Sequence, residues 1–192
     1  APLFANSFEW RFEFPEALNV NGTFTGFDLV VANPPYIGMQ GHKNIFESVA
    51  KTDFGAKWSH GKIDFFYYFI HLAIDLLNKN GSLAFITTNY WLTATDGAFL
   101  RNDLISRTHL TDLLNFKELK IFSSALGQHN VITFGTKADY SGEVRTLVTS
   151  ETGSANSDIF KSIVEGKNSN TDYGLVPQID LQDQSTGYFV LD

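Results

Sequence analysis

Phe27-Asp28-Leu29-Val30-Val31-Ala32-Asn33-Pro34-Pro35-Tyr36 is a short apolar run that stops at two prolines. Phe27 to Ala32 is nearly continuous in apolar residues, which suits a strand buried on both faces of a parallel sheet. The tetrad Asn33-Pro34-Pro35-Tyr36 falls at the carboxyl end of that strand, where open α/β sheets bind ligands. Its residue types fit one chemistry. An exocyclic amine on an aromatic base is a poor nucleophile, because its lone pair is delocalised into the ring. Two acceptors aimed at its N–H groups localise the lone pair. The Asn33 side-chain carbonyl and the Pro34 main-chain carbonyl can be those acceptors. Consecutive prolines fix φ and remove N–H groups, which stiffens the turn and preorganises it. Tyr36 offers a flat face for an extruded base. Neither a metal nor a general base of unusual pKa is required. A proline-rich recognition motif would instead occupy an exposed, flexible stretch.

Working outward, Phe8, Trp10, Phe12 and Phe14 alternate with Glu9, Arg11 and Glu13, which predicts a strand with one buried face. Asp64 to Asn78 reads as a helix. Phe65, Phe69, Leu72 and Leu76 form its stripe, Asp64 its N-cap, and Gly81 its C-terminal stop. Further strands are expected over Ser82–Thr88, Asp112–Phe116 and Asn130–Gly135, with a helix over Thr95–Ser106. Past Lys137 the pattern weakens to a strand near Glu143–Thr149, a helix near Ser157–Val164 and a last strand near Gly187–Leu191. Ser150–Asn156 and Gly166–Asp172 read as linkers or loops. Strands alternating with helices imply an α/β layered sheet.

The chain has 192 residues and a formal net charge of -7. The charge is uneven: residues 1–137 hold 11 Lys+Arg against 12 Asp+Glu, a net of -1, and residues 138–192 hold 3 against 9, a net of -6. Bulk positive charge is therefore not how this protein would grip a polyanion. With Cys 0, disulfide scaffolds and Cys-based zinc sites are excluded. His42, His60, His71, His109 and His129 show no metal-ligand spacing, so no metal site is expected. No apolar run approaches the roughly 20 residues of a membrane span, and a signal peptide is not recognisable. A cytoplasmic setting is the default expectation.

FDLVVANPPYIG resembles motif IV of the amino-methyltransferases that use S-adenosylmethionine. The wider pattern resembles the adenine-N6 DNA methyltransferases of type IIG/IIS-like restriction–modification enzymes, from about Phe8 to Phe134. Phe8-Glu9-Trp10-Arg11-Phe12-Glu13-Phe14-Pro15 matches the family segment before the NPPY strand. Gly61-Lys62-Ile63-Asp64 matches the entry to its aromatic helix. Gly81-Ser82-Leu83-Ala84-Phe85-Ile86-Thr87, Asn89-Tyr90-Trp91-Leu92 and Leu100-Arg101 match the stretches that follow. Ile121-Phe122-Ser123-Ser124-Ala125 matches the turn before a hairpin strand.

The resemblance implies that Asn33, Pro34, Pro35 and Tyr36 hold the target amine, with methyl transfer from S-adenosylmethionine to adenine N6 in double-stranded DNA. Phe122 would be the second aromatic against the flipped base. Phe69 and Pro35 would lie near the cofactor. Lys43, Lys51, Lys57 and Lys62, in the long segment between motif and helix, are expected to meet DNA phosphates; a solvated charged face is the alternative. The implied fold is the C-terminal half of a Rossmann-like methyltransferase domain (residues 1–137), with an antiparallel hairpin edge near Phe122–Phe134 and a short acidic extension. Residues 138–192 would be a connector toward a target-recognition domain. The family's Gly-rich cofactor turn and its ribose-binding acid are absent, since no G-x-G occurs. The chain is therefore expected to be a fragment, inactive alone, whose missing N-terminal half and recognition domain are its partners. Protein-glutamine and RNA guanine-N2 methyltransferases share the motif and stand as alternatives, as does a non-catalytic DNA-binding or scaffold module. The 27 residues from Ile37 to Ile63 favour the DNA reading.

Overall fold

The computed structural model describes residues 8–122, 129–139 and 142–191. Among these, six strands form one sheet: β1 (Phe27–Ala32), β2 (Leu77–Thr88), β3 (His109–Asn115), β4 (Asn130–Thr136), β5 (Glu143–Thr149) and β6 (Thr171–Pro177). Their spatial order is β1-β2-β4-β3-β5-β6. β1 pairs parallel with β2, and β3 pairs parallel with β5. β4 runs antiparallel to both β2 and β3, and β6 antiparallel to β5. The mixed α/β sheet matches the class expected from the strand–helix alternation. β4 belongs to an antiparallel hairpin, as expected, but lies inside the sheet rather than at its edge.

The first helix, α1 (Trp10–Glu13), replaces the strand predicted over Phe8–Phe14. Alternation at 8, 10, 12 and 14 misled because only part of it is buried. Trp10 and Phe14 lie four residues apart, so a helical turn puts both on one side and stacks them at 5.7 Å. Phe14 meets Phe27 at 5.2 Å, while Phe12 points away and is 85% exposed. The aromatic cluster thus seats on the start of β1.

Between β1 and β2 the chain forms α2 (Lys43–Ala50), α3 (Asp53–Trp58) and α4 (Phe66–Leu76). The segment expected as a long loop is therefore mostly helical. Phe46 and Trp58 anchor it in the core, and Thr52 Oγ1 caps α3 by accepting from Gly55 N at 2.9 Å. Phe66, Ile70, Ala73 and Ile74 of α4 are buried against the sheet, whereas the predicted stripe of Phe65, Phe69, Leu72 and Leu76 is its more open side. A helix apolar on every side carries no stripe signal. Asp64 does not cap α4, because Phe65 is its N-cap residue. Gly81 lies within β2, where a Cβ would come 2.6 Å from the Phe27 carbonyl oxygen, so this glycine serves close strand approach.

After β2 come α5 (Ala98–Arg107) and, later, α6 (Ser157–Val164), both close to expectation. β6 begins at Thr171, inside the stretch Gly166–Asp172 expected as a linker. The strand expected near Gly187–Leu191 forms only an isolated bridge, between Gln182 and Phe189. The described residues after Lys137 share the core of the rest: Val144, Val148, Leu181, Phe189 and Leu191 pack in the same cluster as α4 and α5. That cluster fills one face of the sheet. On the other face α6 covers β3 and β5 through Leu114, Leu147 and Ile163. Beside it the β1 side is bare, with Leu29 59% and Val31 68% exposed. This overturns burial of β1 on both faces: β1 is an edge strand among the described residues and only Val30 and Ala32 meet the core. Among the described residues no helix is long and apolar enough to cross a membrane.

Arg101, 1% exposed, ties the C-terminal segment down. It donates to the carbonyls of Trp91 at 2.5 Å, Ala94 at 2.8 Å and Gly187 at 2.7 Å. Arg101→Met keeps the bulk and orphans these acceptors. It should cost about 3 kcal/mol or more, read as a lower urea midpoint; an unchanged midpoint would show that Arg101 is not a structural tie.

Candidate active site at the carboxyl end of β1

β1, β2 and β3 are mutually parallel through the pairings above, so their carboxyl ends share one edge of the sheet. Asn33, Asn89 and the Phe116–Phe122 stretch all leave the sheet there. The β1–β2 register ends at the pair Ala32 and Phe85. The next residues on β1 are Asn33 and two prolines, which have no N–H to continue a ladder. The Tyr36 hydroxyl reaches across to β2 instead. It lies 2.9 Å from Asn33 Oδ1 and 3.0 Å from the Ile86 carbonyl oxygen. The Tyr36 ring meets Phe66 edge-on, at 6.1 Å and 77°. Burial pushes the Tyr36 phenol up to about 12, so it stays protonated across ordinary pH. Beyond the motif, Phe65 N donates to Ile37 O at 2.8 Å and Gly38 bridges Asp64. The turn is therefore held from β1, β2 and the start of α4 together.

Asn33 also lines an open cavity of about 360 Å³ with Val31, Ala84, Ile86, Ile132 and Phe134. Its wall is the bare apolar face of the sheet. Phe122 is half-buried at the same end of the sheet, while Ser123, Ser124 and Ala125 of the expected turn lie outside the described residues. Phe69 is 38% exposed and packs on Phe65; the α4 residue that touches Tyr36 is Phe66, outside the stripe expected from spacing. The Ile86 carbonyl could not be singled out from sequence, because a main-chain acceptor leaves no residue-type signal.

The four lysines separate. Lys43 and Lys62 line one cavity of about 430 Å³ with Gly38, Met39 and Asp64. Lys57 lies over the Trp58 ring at 4.3 Å. Lys51 sits at the C-cap of α2. Burial raises the Asp64 carboxyl above its usual range.

With this geometry in hand, the profile of the family described as Eco57I restriction-modification methylase matches residues 3–122. The chain belongs to that family. Among curated relatives, it is 32% identical over 111 residues to Type II methyltransferase M.BanIII of Aneurinibacillus aneurinilyticus, covering 57% of this chain and 18% of that protein. It is 34% identical over 86 residues to the adenine-specific methyltransferase BrxX of Escherichia coli O9:H4 (strain HS), covering 44% of this chain and 7% of that one. The chain thus spans less than a fifth of either relative's length. The modification subunit of a putative type I restriction enzyme from Vibrio vulnificus YJ016 shares the fold: TM-score 0.60, 11% identity, with 88% of this chain and 37% of that one covered.

Within this family member, a partly buried charge network ties α4 to α5. His71 on α4 pairs through Nδ1 with Asp103 Oδ2 at 2.6 Å, and Arg107 grips both Asp103 oxygens at 2.6 and 2.7 Å. Trp58 stacks flat on His71 at 3.8 Å, which fastens α3 to α4 and α5. Burial lowers the His71 pKa, with Asp103 opposing that shift, so the neutral ring donates Nδ1–H to the carboxylate. A histidine held below its usual 6.5 binds protons preferentially when unfolded, so stability is full above that value and falls as pH drops below it. Urea midpoints should therefore decline from pH 7 toward pH 5 (about two units around the histidine range). His71→Gln should flatten that decline, and an equally steep decline in the variant would remove His71 as its cause.

Proposed function

We propose that this chain carries the amine-activating part of an enzyme that transfers a methyl group from S-adenosylmethionine to adenine N6 in double-stranded DNA, within a restriction–modification or phage-defence system. The observation that supports the reading is the turn itself: two prolines follow Asn33 at the end of β1, and Tyr36 holds the turn through its contacts to Asn33, β2 and α4. Family membership, and the printed names of relatives such as an adenine-specific methyltransferase, support it.

Adenine N6 needs its lone pair localised before it can attack. Asn33 Oδ1 and the Pro34 carbonyl accept its two N–H groups, and their stabilisation grows as positive charge builds on nitrogen. After methylation the nitrogen, now cationic and acidic, gives its proton to water. Tyr36 supplies a face for the flipped base and Phe122 a second aromatic contact. The apolar wall of Val31, Ala84, Ile86 and Phe134 beside Asn33 fits an uncharged ring of a cofactor. Pro35, in the turn itself, is assigned to its neighbourhood; Phe69 packs on Phe65 of α4, against the opposite face of the sheet, and does not border that wall. When bound, S-adenosylmethionine supplies an electrophilic methyl group on sulfur. Groups for its ribose and amino acid ends are not among that wall's residues, and we assign them, with the target-recognition surface, to other parts of the full-length protein. Residues 1–137 then serve catalysis, and 138–192 lead toward recognition.

Two experiments test this. Asn33→Ala in the full-length protein should reduce methyl incorporation into DNA by at least about a hundredfold, with cofactor binding retained; near-normal incorporation would remove Asn33 from its role. Lys43, Lys51, Lys57 and Lys62 are proposed to meet phosphates. Neutralising Lys43 and Lys62 together should lower the salt slope of DNA binding by about 2, measured by fluorescence anisotropy across a salt series. An unchanged slope would make this a solvated face.

A further inference from the structure

Tyr36 carries one hydroxyl proton and has two carbonyl acceptors in reach, Asn33 Oδ1 at 2.9 Å and the Ile86 main-chain oxygen at 3.0 Å. One proton cannot serve both at full strength. The acceptors also differ in kind. The Ile86 carbonyl is fixed in β2, whose register there pairs Ile86 with Ile132. The Asn33 amide can turn over, exchanging its oxygen for its NH2.

Two hydrogen-bond states follow. In the first, the hydroxyl donates to Asn33 Oδ1, occupies one of that oxygen's two lone pairs and keeps it directed at Tyr36, which leaves a weaker acceptor for a target amine. In the second, it donates to Ile86, and its own oxygen accepts from Asn33 Nδ2. The amide is then turned over, with Oδ1 directed away from Tyr36. Asn33 stays tethered in both, because a phenol both donates and accepts. The ring is held in place by its edge contact with Phe66, so the hydroxyl does not have to move between the states.

We propose that the Tyr36 hydroxyl is a positioning switch for Asn33: passing its hydrogen bond from Asn33 to the Ile86 carbonyl turns the amide and presents its oxygen to the target amine. The inference rests on the reading of Asn33 as an amine acceptor. Tyr36 has two separable parts in this scheme. Its ring stacks on the base, and its hydroxyl acts through Asn33. The high pKa of the buried phenol agrees with a neutral group that keeps its proton.

Tyr36→Phe in the full-length protein keeps the ring and removes the hydroxyl. Turnover on target DNA should fall about tenfold, while KM for DNA and cofactor affinity stay within about twofold. Loss of a purely structural contact would lower the unfolding midpoint and leave kcat in place. Crystal structures of both proteins give a second reading that does not depend on activity: Asn33 should hold one side-chain conformation in the parent and several in Tyr36→Phe. Wild-type or raised turnover in Tyr36→Phe, with Asn33→Ala inactive, overturns the switch and leaves the Asn33 role intact. Should Asn33→Ala keep its activity, the reading of Asn33 fails. The tether is then judged on the structures, and a single unchanged Asn33 conformation in Tyr36→Phe overturns it.

Discussion

The main-chain ladder between β1 and β2 stops where two prolines follow Asn33, and the architecture of the site depends on that stop. A chain with N–H groups at 34 and 35 could extend the strand. Without them it must turn, and the turn needs another anchor. Tyr36 provides one by reaching the carbonyl of Ile86, one residue past the last register pair. Phe66 closes the arrangement from α4. Asn33 sits at the head of this turn, and the Tyr36 hydroxyl, itself held by Ile86 and Phe66, reaches its side-chain oxygen.

The sheet behind the turn is asymmetric, and the asymmetry explains the surroundings of Asn33. One face carries α4 and α5 and the larger core cluster. The other is covered by α6 over β3 and β5 but bare over β1. Residues 31 and 33 lie two apart on one strand, so Asn33 borders the bare face. Tyr36 turns back toward α4. The motif thus straddles the sheet end, with its acceptor on the open side and its aromatic ring on the packed side. Trp58, stacked on His71 and set against Arg107, fastens α3 to α4 and α5.

Much of this was legible in the sequence where one physical signal dominated. The apolar run ending in Asn-Pro-Pro-Tyr located β1 and the point where its ladder stops, and β3, β4, β5, α5 and α6 fell close to their expected places. Misreadings came where two signals coincided. The alternation from Phe8 to Phe14 is compatible with a strand, yet the i, i+4 pair Trp10 and Phe14 is satisfied by a helical turn. In α4 nearly every position is apolar, so the stripe could not be chosen from spacing. Leu29 and Val31 look like core residues by type, but burial depends on what packs over an edge strand. The partner of Tyr36 on β2 is a backbone oxygen, which no residue type announces.

The most direct measurement on the central claim is mass spectrometry of nucleosides from plasmid DNA after expression of the full-length protein and of its inactivated control. N6-methyladenine should appear in DNA only with the active protein. Methyl groups confined to ribosomal RNA or to a glutamine side chain of a protein, with DNA unmodified, would contradict adenine in DNA as the substrate of the Asn33 turn.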